Sequence, residues 1–541
     1  MLEAPIGPEA RHSAVFDVTY TVGLLAIAIL TGYAVLAPWH AAPVTAALPP
    51  AVVGSIAART ATAPGDALAP TDALSEPPAT RPGAQTPTGA RSGSRSEPAS
   101  AMVARSVPDA SRPPAIVRPA PEPARPEPAR PERPRGTWSG AVSGRVLDQD
   151  GQPLTGVSVV AAGTETRAAE DGTFTVMPPS DATLIVKRPG FAKVTIEPTP
   201  IRGPLEIVMR TQTIRAAYLT YFGFGDRGIR NRVLDLVART ELNAVVIDVK
   251  GDRGWIIYPT RVEQALAIGA QGPATLRDFD GMMADLKARG VYTIARIVTF
   301  KDNVLATARP DLAVVDTRTG KPWVDRENLA WVDPFREEVW DYNIAIAKEA
   351  IERGFDEVQF DYVRFPTDGK LAAARYARPV SKETRLPTIV AFLERARKEL
   401  GARGAYVAAD LFGYTAFNEN DTDIGQRIEE LAPHLDYICP MVYPSGYHVG
   451  IPGYRNPVEN SYAVVRESVR LIRRRAAHTP ARVRPWLQDF KDYAFDRRTF
   501  GVTEIREQIR GSDEGGGAGW MLWNPRNDYT GAALRIKLAA R

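Results

Sequence analysis

From Ile214 to the end of the chain, strand-like runs alternate with amphipathic helical stretches, and this alternation narrows the possible folds more than any other feature. The strand candidates are 214–221, 244–250, 292–300, 357–366, 405–413, 437–444, 483–490 and 518–525, eight in all. Between them lie helical apolar patterns, among them Ile229–Leu242, Leu276–Arg289, Pro334–Arg353, Thr384–Leu400, Asp423–Leu431 and Tyr462–Arg474. Asp333-Pro334 reads as an N-cap followed by proline at the first helical position. Eight such units predict an α/β fold, a (β/α)8 TIM barrel over 211–541, in preference to an open doubly wound sheet.

The fourth run, within Gly354–Pro366, alternates with period two: Glu357, Gln359 and Asp361 share one face, Val358, Phe360 and Tyr362 the other. Such a polar face fits a solvated edge strand or a strand lining a barrel. With seven companions closing a ring there is no edge, so the three become successive layers of the interior. Asp361 then sits nearest the mouth, and Glu357 belongs to a polar network deeper down.

The C-terminal ends of barrel strands carry chemistry. The second run places Asp248 and Lys250 on one face; the third carries Arg296, the fifth Asp410, the sixth Tyr443, the seventh Asp489 and the eighth Trp523. Four carboxylates, with Lys250 and Arg296, converge on one rim. Cleaving a glycosidic bond takes two carboxyl groups astride it, one to protonate the leaving oxygen and one to attack carbon or activate water. Aromatic side chains suit the flat faces of sugar rings, and Tyr221, Phe222, Trp255, Trp323, Trp331, Tyr443, Tyr447 and Trp523 are available. Each has a plainer role to weigh: Asp248 and Lys250 as an internal ion pair, Arg296 as a charge partner for the acids, most of the aromatics as packing.

Upstream, residues 138–210 hold short strand-like runs separated by Asp150-Gly151, Asp171-Gly172 and Pro189-Gly190, which predicts a small all-β sandwich. Residues 40–137 are rich in Pro, Ala and Arg and have little to bury, so they are expected to form an extended linker. Val18 to Trp39 has no charged residue and is long enough to cross a bilayer as an N-terminal transmembrane helix. The head, residues 1–17, carries Glu3, Glu9 and Asp17 against Arg11, a poor signal-peptide start, which favours an uncleaved anchor over a cleaved signal. Arg11 on the near side leans towards a cytoplasmic head, a single pass and an extracytoplasmic barrel.

The net charge of +4 gives no reason to expect nucleic-acid binding, and the single cysteine excludes an internal disulfide framework. Five scattered histidines with no His-x-His or His-Glu-x-x-His pair leave a histidine metal site unexpected, and no cofactor is called for.

Two stretches resemble known families. Gly144-Arg145-Val146-Leu147-Asp148 through Gly151–Val157, then Asp171-Gly172-Thr173-Phe174, is similar to carboxypeptidase-regulatory-like sandwich domains, which implies a spacer or surface-interaction module. Val246–Asp252, Ile294–Ile297, Gly354–Pro366, Ala409–Gly413, Asp436–Ser445 and Trp486–Phe490 resemble the glycosyl hydrolase barrels of bacterial envelope proteins, distantly α-amylase-like. That resemblance implies Asp361 as nucleophile, Asp410 as acid/base and Asp489 as transition-state stabiliser. Asp248, Lys250, Arg296, Arg364, Tyr443 and Trp523 complete the site as substrate-binding candidates. Two departures leave retention or inversion open: aspartate instead of glutamate ends the fifth run, and Arg364 follows its acid instead of preceding it. The expectation is a membrane-anchored glycoside hydrolase acting on a polysaccharide or oligosaccharide. The alternatives are a non-catalytic glycan-binding barrel and a metal-assisted hydrolase; oligomeric state stays open.

Overall fold

A computed structural model describes residues 136–200, 203–273 and 276–537. The head, the apolar segment 18–39 and the linker as far as residue 135 lie outside the described residues. Among the described residues no helix is long and apolar enough to cross a membrane.

The eight barrel strands are Ile214–Leu219, Ala244–Lys250, Tyr292–Val298, Glu357–Asp361, Tyr406–Phe412, Tyr437–Met441, Trp486–Gln488 and Gly519–Trp523. Each pairs in parallel with the next, and the eighth returns to the first with Met521 opposite Ala216. Closure needs a glycine at one point, because a Cβ on Gly519, at φ +96°, would lie 1.9 Å from the Ile214 carbonyl oxygen. Strands rich in Val, Ile and Ala are buried on both faces, and period-two alternation sorts them into two layers. Ala217, Val245, Ile297, Phe360 and Val407 face the helices, whereas Tyr218, Val246, Ile294, Ala408 and Met521 fill the interior. Glu357, Gln359 and Asp361 are all buried, so the solvated-edge alternative falls away.

Two local expectations differ. The helix expected at 423–431 is only Ile428–Leu431, because Asp421 accepts the Asp423 N–H and ties down Arg385, while Thr422 and Asp423 sit at positive φ. Asp333 is not an N-cap either. The helix starts at Glu337, and the Asp333 carboxylate accepts N–H bonds from Phe335 and from Ala377 across the chain.

The upstream domain is a sandwich of a three-stranded and a four-stranded sheet around Trp138, Val146, Val159, Phe174, Leu184 and Met209. It seats against the barrel floor, at the N-terminal strand ends. Lys187 Nζ donates to the Ala405 carbonyl and Lys193 Nζ to that of Asp356, each at 2.6 Å. Tyr406 Oη donates to Arg188 O at 2.8 Å and accepts from Arg188 N at 3.1 Å, and Arg397 forks onto Glu165. This domain therefore closes the bottom of the barrel, a more intimate part than a spacer. Tyr406→Phe leaves the part-buried Arg188 N–H without its acceptor, while the Arg188 carbonyl keeps the Phe191 N–H, and is expected to cost about 1–3 kcal/mol in urea unfolding of the whole chain. A loss below a few tenths would mean that the contact contributes nothing.

Candidate active site

The opposite, C-terminal end of the barrel opens into a cleft. Three inner-face side chains meet there because strands three, four and five set Arg296, Asp361 and Asp410 at neighbouring positions. Arg296 is the hub. Its Nε donates to Asp361 Oδ2 at 3.1 Å and its Nη2 to the same oxygen, while Nη1 reaches Asp248 Oδ1. Asp248 is further held by the Tyr218 hydroxyl at 2.5 Å. Trp523 stacks on Tyr218 with ring centres 4.0 Å apart, and the guanidinium lies over both rings.

The two cleft aspartates have opposite surroundings. Asp361 accepts the Arg296 bonds on one oxygen and the Tyr362 N–H, at 2.6 Å, on the other, so it is bonded as a carboxylate. Asp410 accepts from Trp486 Nε1 on Oδ1 at 2.7 Å, but among the described residues its Oδ2 has no hydrogen-bond partner, and it lies 3.8 Å from Arg296 Nε. Burial first, then the charge of Asp361, push the Asp410 carboxyl well above its usual range, against the opposing pull of Arg296. One carboxyl has donors on both of its oxygens, whereas in the other burial and a neighbouring charge favour the neutral form. Tyr362, directly after Asp361, has φ +48°, an uncommon conformation for a tyrosine, and it re-aims the chain at the strand end.

Of the residues singled out from sequence, Asp361, Asp410, Arg296, Arg364, Tyr443 and Trp523 line the cleft, and Asp248 sits just behind Arg296. Lys250 does not join them. Arg296 pairs with Asp248 but Ile297 pairs with Lys250, so Val249 is an extra residue in the ladder and the bulge turns Lys250 to the outer face. There it forms a fully buried ion pair with Asp302 at 2.5 Å. The expected Asp248–Lys250 face is thus split, and neither is the other's partner. Asp489 is also elsewhere: with Trp486 facing inward, alternation turns Asp489 away, and its carboxylate accepts the Thr530 N–H and hydroxyl at 2.9 and 2.8 Å. Burial pushes it up to about 6 despite those bonds.

Among the aromatic candidates Tyr443, Tyr447 and Trp523 line the cleft, whereas Tyr221, Phe222 and Trp255 pack on one another beside it. Sequence reasoning missed Trp486, Phe412, Tyr414 and Tyr493, and two acids, Asp252 and Glu327. Trp486 lies in a strand of three residues, too short for alternation alone to say which side chains face inward. Glu327 lies in an irregular loop with no periodicity to flag it. It pairs with Lys301, yet burial raises it to about 7. Among the described residues no group of three or more His, Cys, Asp or Glu side chains is arranged to hold a metal ion.

Residues 216–529 match the family model described as "Putative glycosyl hydrolase domain", and residues 141–209 match the carboxypeptidase regulatory-like domain. No curated protein matches the chain. Among solved structures, a hypothetical protein from Ruminiclostridium thermocellum ATCC 27405 is 36% identical over 36% of this chain and 96% of its own, with a TM-score of 0.32. The PgaB (BpsB) glycoside hydrolase domain from Bordetella bronchiseptica is 16% identical, covering 58% of this chain and 95% of its own at a TM-score of 0.43. A chitinase from Chromobacterium violaceum ATCC 12472 is 13% identical, covering 60% and 98% respectively at 0.36. At TM-scores this low, none of the three bears on the chemistry of this chain.

Proposed function

The chain belongs to the glycosyl hydrolase domain family, and from that premise we propose that it hydrolyses glycosidic bonds, with Asp361 as nucleophile and Asp410 as acid/base. The observation that carries this reading is the unequal pair on one cleft: Asp361 bonded as a carboxylate, Asp410 with a free oxygen and a disfavoured charge. Asp361 attacks the anomeric carbon as Asp410 passes its proton to the departing oxygen; Asp410 then takes a proton from the water that opens the glycosyl ester. Arg296 Nε contacts both carboxyl groups, which caps the separation of those two oxygens at the sum of 3.1 and 3.8 Å. That reach accommodates the roughly 5–5.5 Å separation of a retaining pair. Tyr443 and Trp523 supply faces for the sugar. Asp489, away from the cleft, has no part in this scheme. We further propose that segment 18–39 tethers the enzyme to a membrane with the barrel outside the cytoplasm, facing an envelope or environmental polysaccharide.

The test is release of reducing ends from a glycan panel by the purified chain, read against pH. Asp410 must be protonated to act, and its carboxyl is raised, so activity should extend above the usual carboxylate range and fall as pH climbs through that raised value. Asp410→Asn should remove the alkaline limb and lose roughly 10²–10⁴-fold on substrates with poor leaving groups, less on aryl glycosides that need no proton. An unchanged alkaline limb in Asp410→Asn would reject the assignment, and binding without turnover by the wild type would favour a glycan-binding barrel.

A further inference from the structure

Arg364 is a buried cation of the cleft that, among the described residues, no carboxylate meets in an ion pair, although Asp368, Asp361 and Asp325 act on its charge from farther off. It is only 3% exposed and yet lines the cleft. Its guanidinium is packed among three rings, 5.1 Å from the centre of Trp331, 4.9 Å from Tyr362 and 4.6 Å from Phe412. Nη1 donates to the Phe365 carbonyl at 3.0 Å and weakly to Thr367 Oγ1 at 3.4 Å. Among the described residues Nε and Nη2 find no hydrogen-bond acceptor, and neither atom is sealed from solvent, so both remain available to a ligand in the cleft that Arg364 lines. Among the described residues no carboxylate lies within 4 Å of Arg364.

The other buried cations around it are treated differently. Arg296 is held by Asp248 and Asp361, Lys301 by Asp325 and Glu327, Lys250 by Asp302. Burying a cation without a counter-charge is costly, and aromatic faces offset only part of that cost. The cleft's own acids are already spoken for. Asp361 faces Arg296, Glu327 faces Lys301, and Asp410 favours its uncharged form, which leaves the half-buried Asp252 at the rim. A planar fork with open donors, three residues from the proposed nucleophile and packed on its neighbour Tyr362, matches a carboxylate on the sugar ring that occupies the reacting position.

We propose that the glycan is acidic and that Arg364 binds the carboxylate of a hexuronate residue next to the scissile bond. This rests on the glycosidase reading above and narrows its substrate class. The rings of Trp331, Tyr362 and Phe412 hold the guanidinium plane so that two donors meet two carboxylate oxygens, while Asp361 and Asp410 address the anomeric end of the same sugar.

The experiment compares the purified full chain on a hexuronate-containing polysaccharide, on the same polymer after reduction of its carboxyl groups, and on a neutral polymer bearing sulfate esters. The acidic polymer should be cleaved with a kcat/KM about 10–100-fold above its reduced counterpart, as a charge-assisted bidentate contact provides. In Arg364→Gln the acidic-to-reduced ratio should fall to near one, chiefly through KM; Arg364→Lys, which keeps the charge without the fork, should fall between. Equal cleavage of the two polymers by the wild type, or a ratio unmoved by Arg364→Gln, would overturn the proposal and leave Arg364 as packing. Preference for the sulfated polymer would overturn the carboxylate assignment. Should the wild type cleave nothing, the glycosidase reading fails by itself, and calorimetry with acidic and reduced oligosaccharides decides this one: charge-dependent binding lost in Arg364→Gln supports it, equal binding overturns it.

Discussion

Asp361→Asn should lower kcat by roughly a thousandfold or more on any glycan the chain cleaves, with the fold retained. The amide has the shape of the carboxylate and its oxygen still accepts the Tyr362 N–H, but it carries no charge with which to attack the anomeric carbon or to face Arg296. Arg296 is not stranded by the change, because Asp248 still holds its Nη1. The thermal midpoint should therefore move by far less than kcat, and KM should change little if substrate is held mainly by the aromatic walls. Rates from reducing-end release and folding from circular dichroism separate the two effects. A variant within tenfold of wild type would remove Asp361 from the nucleophile's role.

What the sequence made legible follows from periodicity, and what it hid follows from breaks in periodicity. Eight runs with period-two patterning were enough to close a ring, and the same alternation put Glu357, Gln359 and Asp361 inside it. Lys250 was misplaced because a one-residue bulge at Val249 reverses every later side chain, and nothing in Val-Ile-Asp-Val-Lys marks it. Asp489 was misplaced because the seventh strand is only Trp486–Gln488, too short for a pattern to establish its phase without its neighbours. Glu327 and Asp252 sit in loops after strand ends, where acids join the cleft through chain geometry that no local rule encodes. The seat of the sandwich on the barrel floor was equally hidden, since Lys187, Lys193 and Tyr406 each bond to backbone groups of the other domain, which no pattern within either domain marks.

Beneath the cleft, Glu357 and Arg484 make a second test with a large expected effect, on stability instead of rate. Both are fully buried, bound through paired N–H bonds, and Tyr292 gives its hydroxyl to the same carboxylate at 3.0 Å. Burial works against the Arg484 charge, and Glu357 is the first group that holds it up. Glu357→Ala would leave a guanidinium in the barrel interior with its counter-charge gone, which costs about 3–5 kcal/mol. Replacing both by apolar side chains, as Glu357→Met with Arg484→Met, should cost less than either single change, since no charge is then left uncompensated. Urea unfolding of the two single variants and the double variant measures this directly. If the single losses simply add in the double variant, the pair is not the coupled unit its geometry describes, and the polar floor would instead be held by its separate contacts with Tyr292, Tyr437 and Cys439.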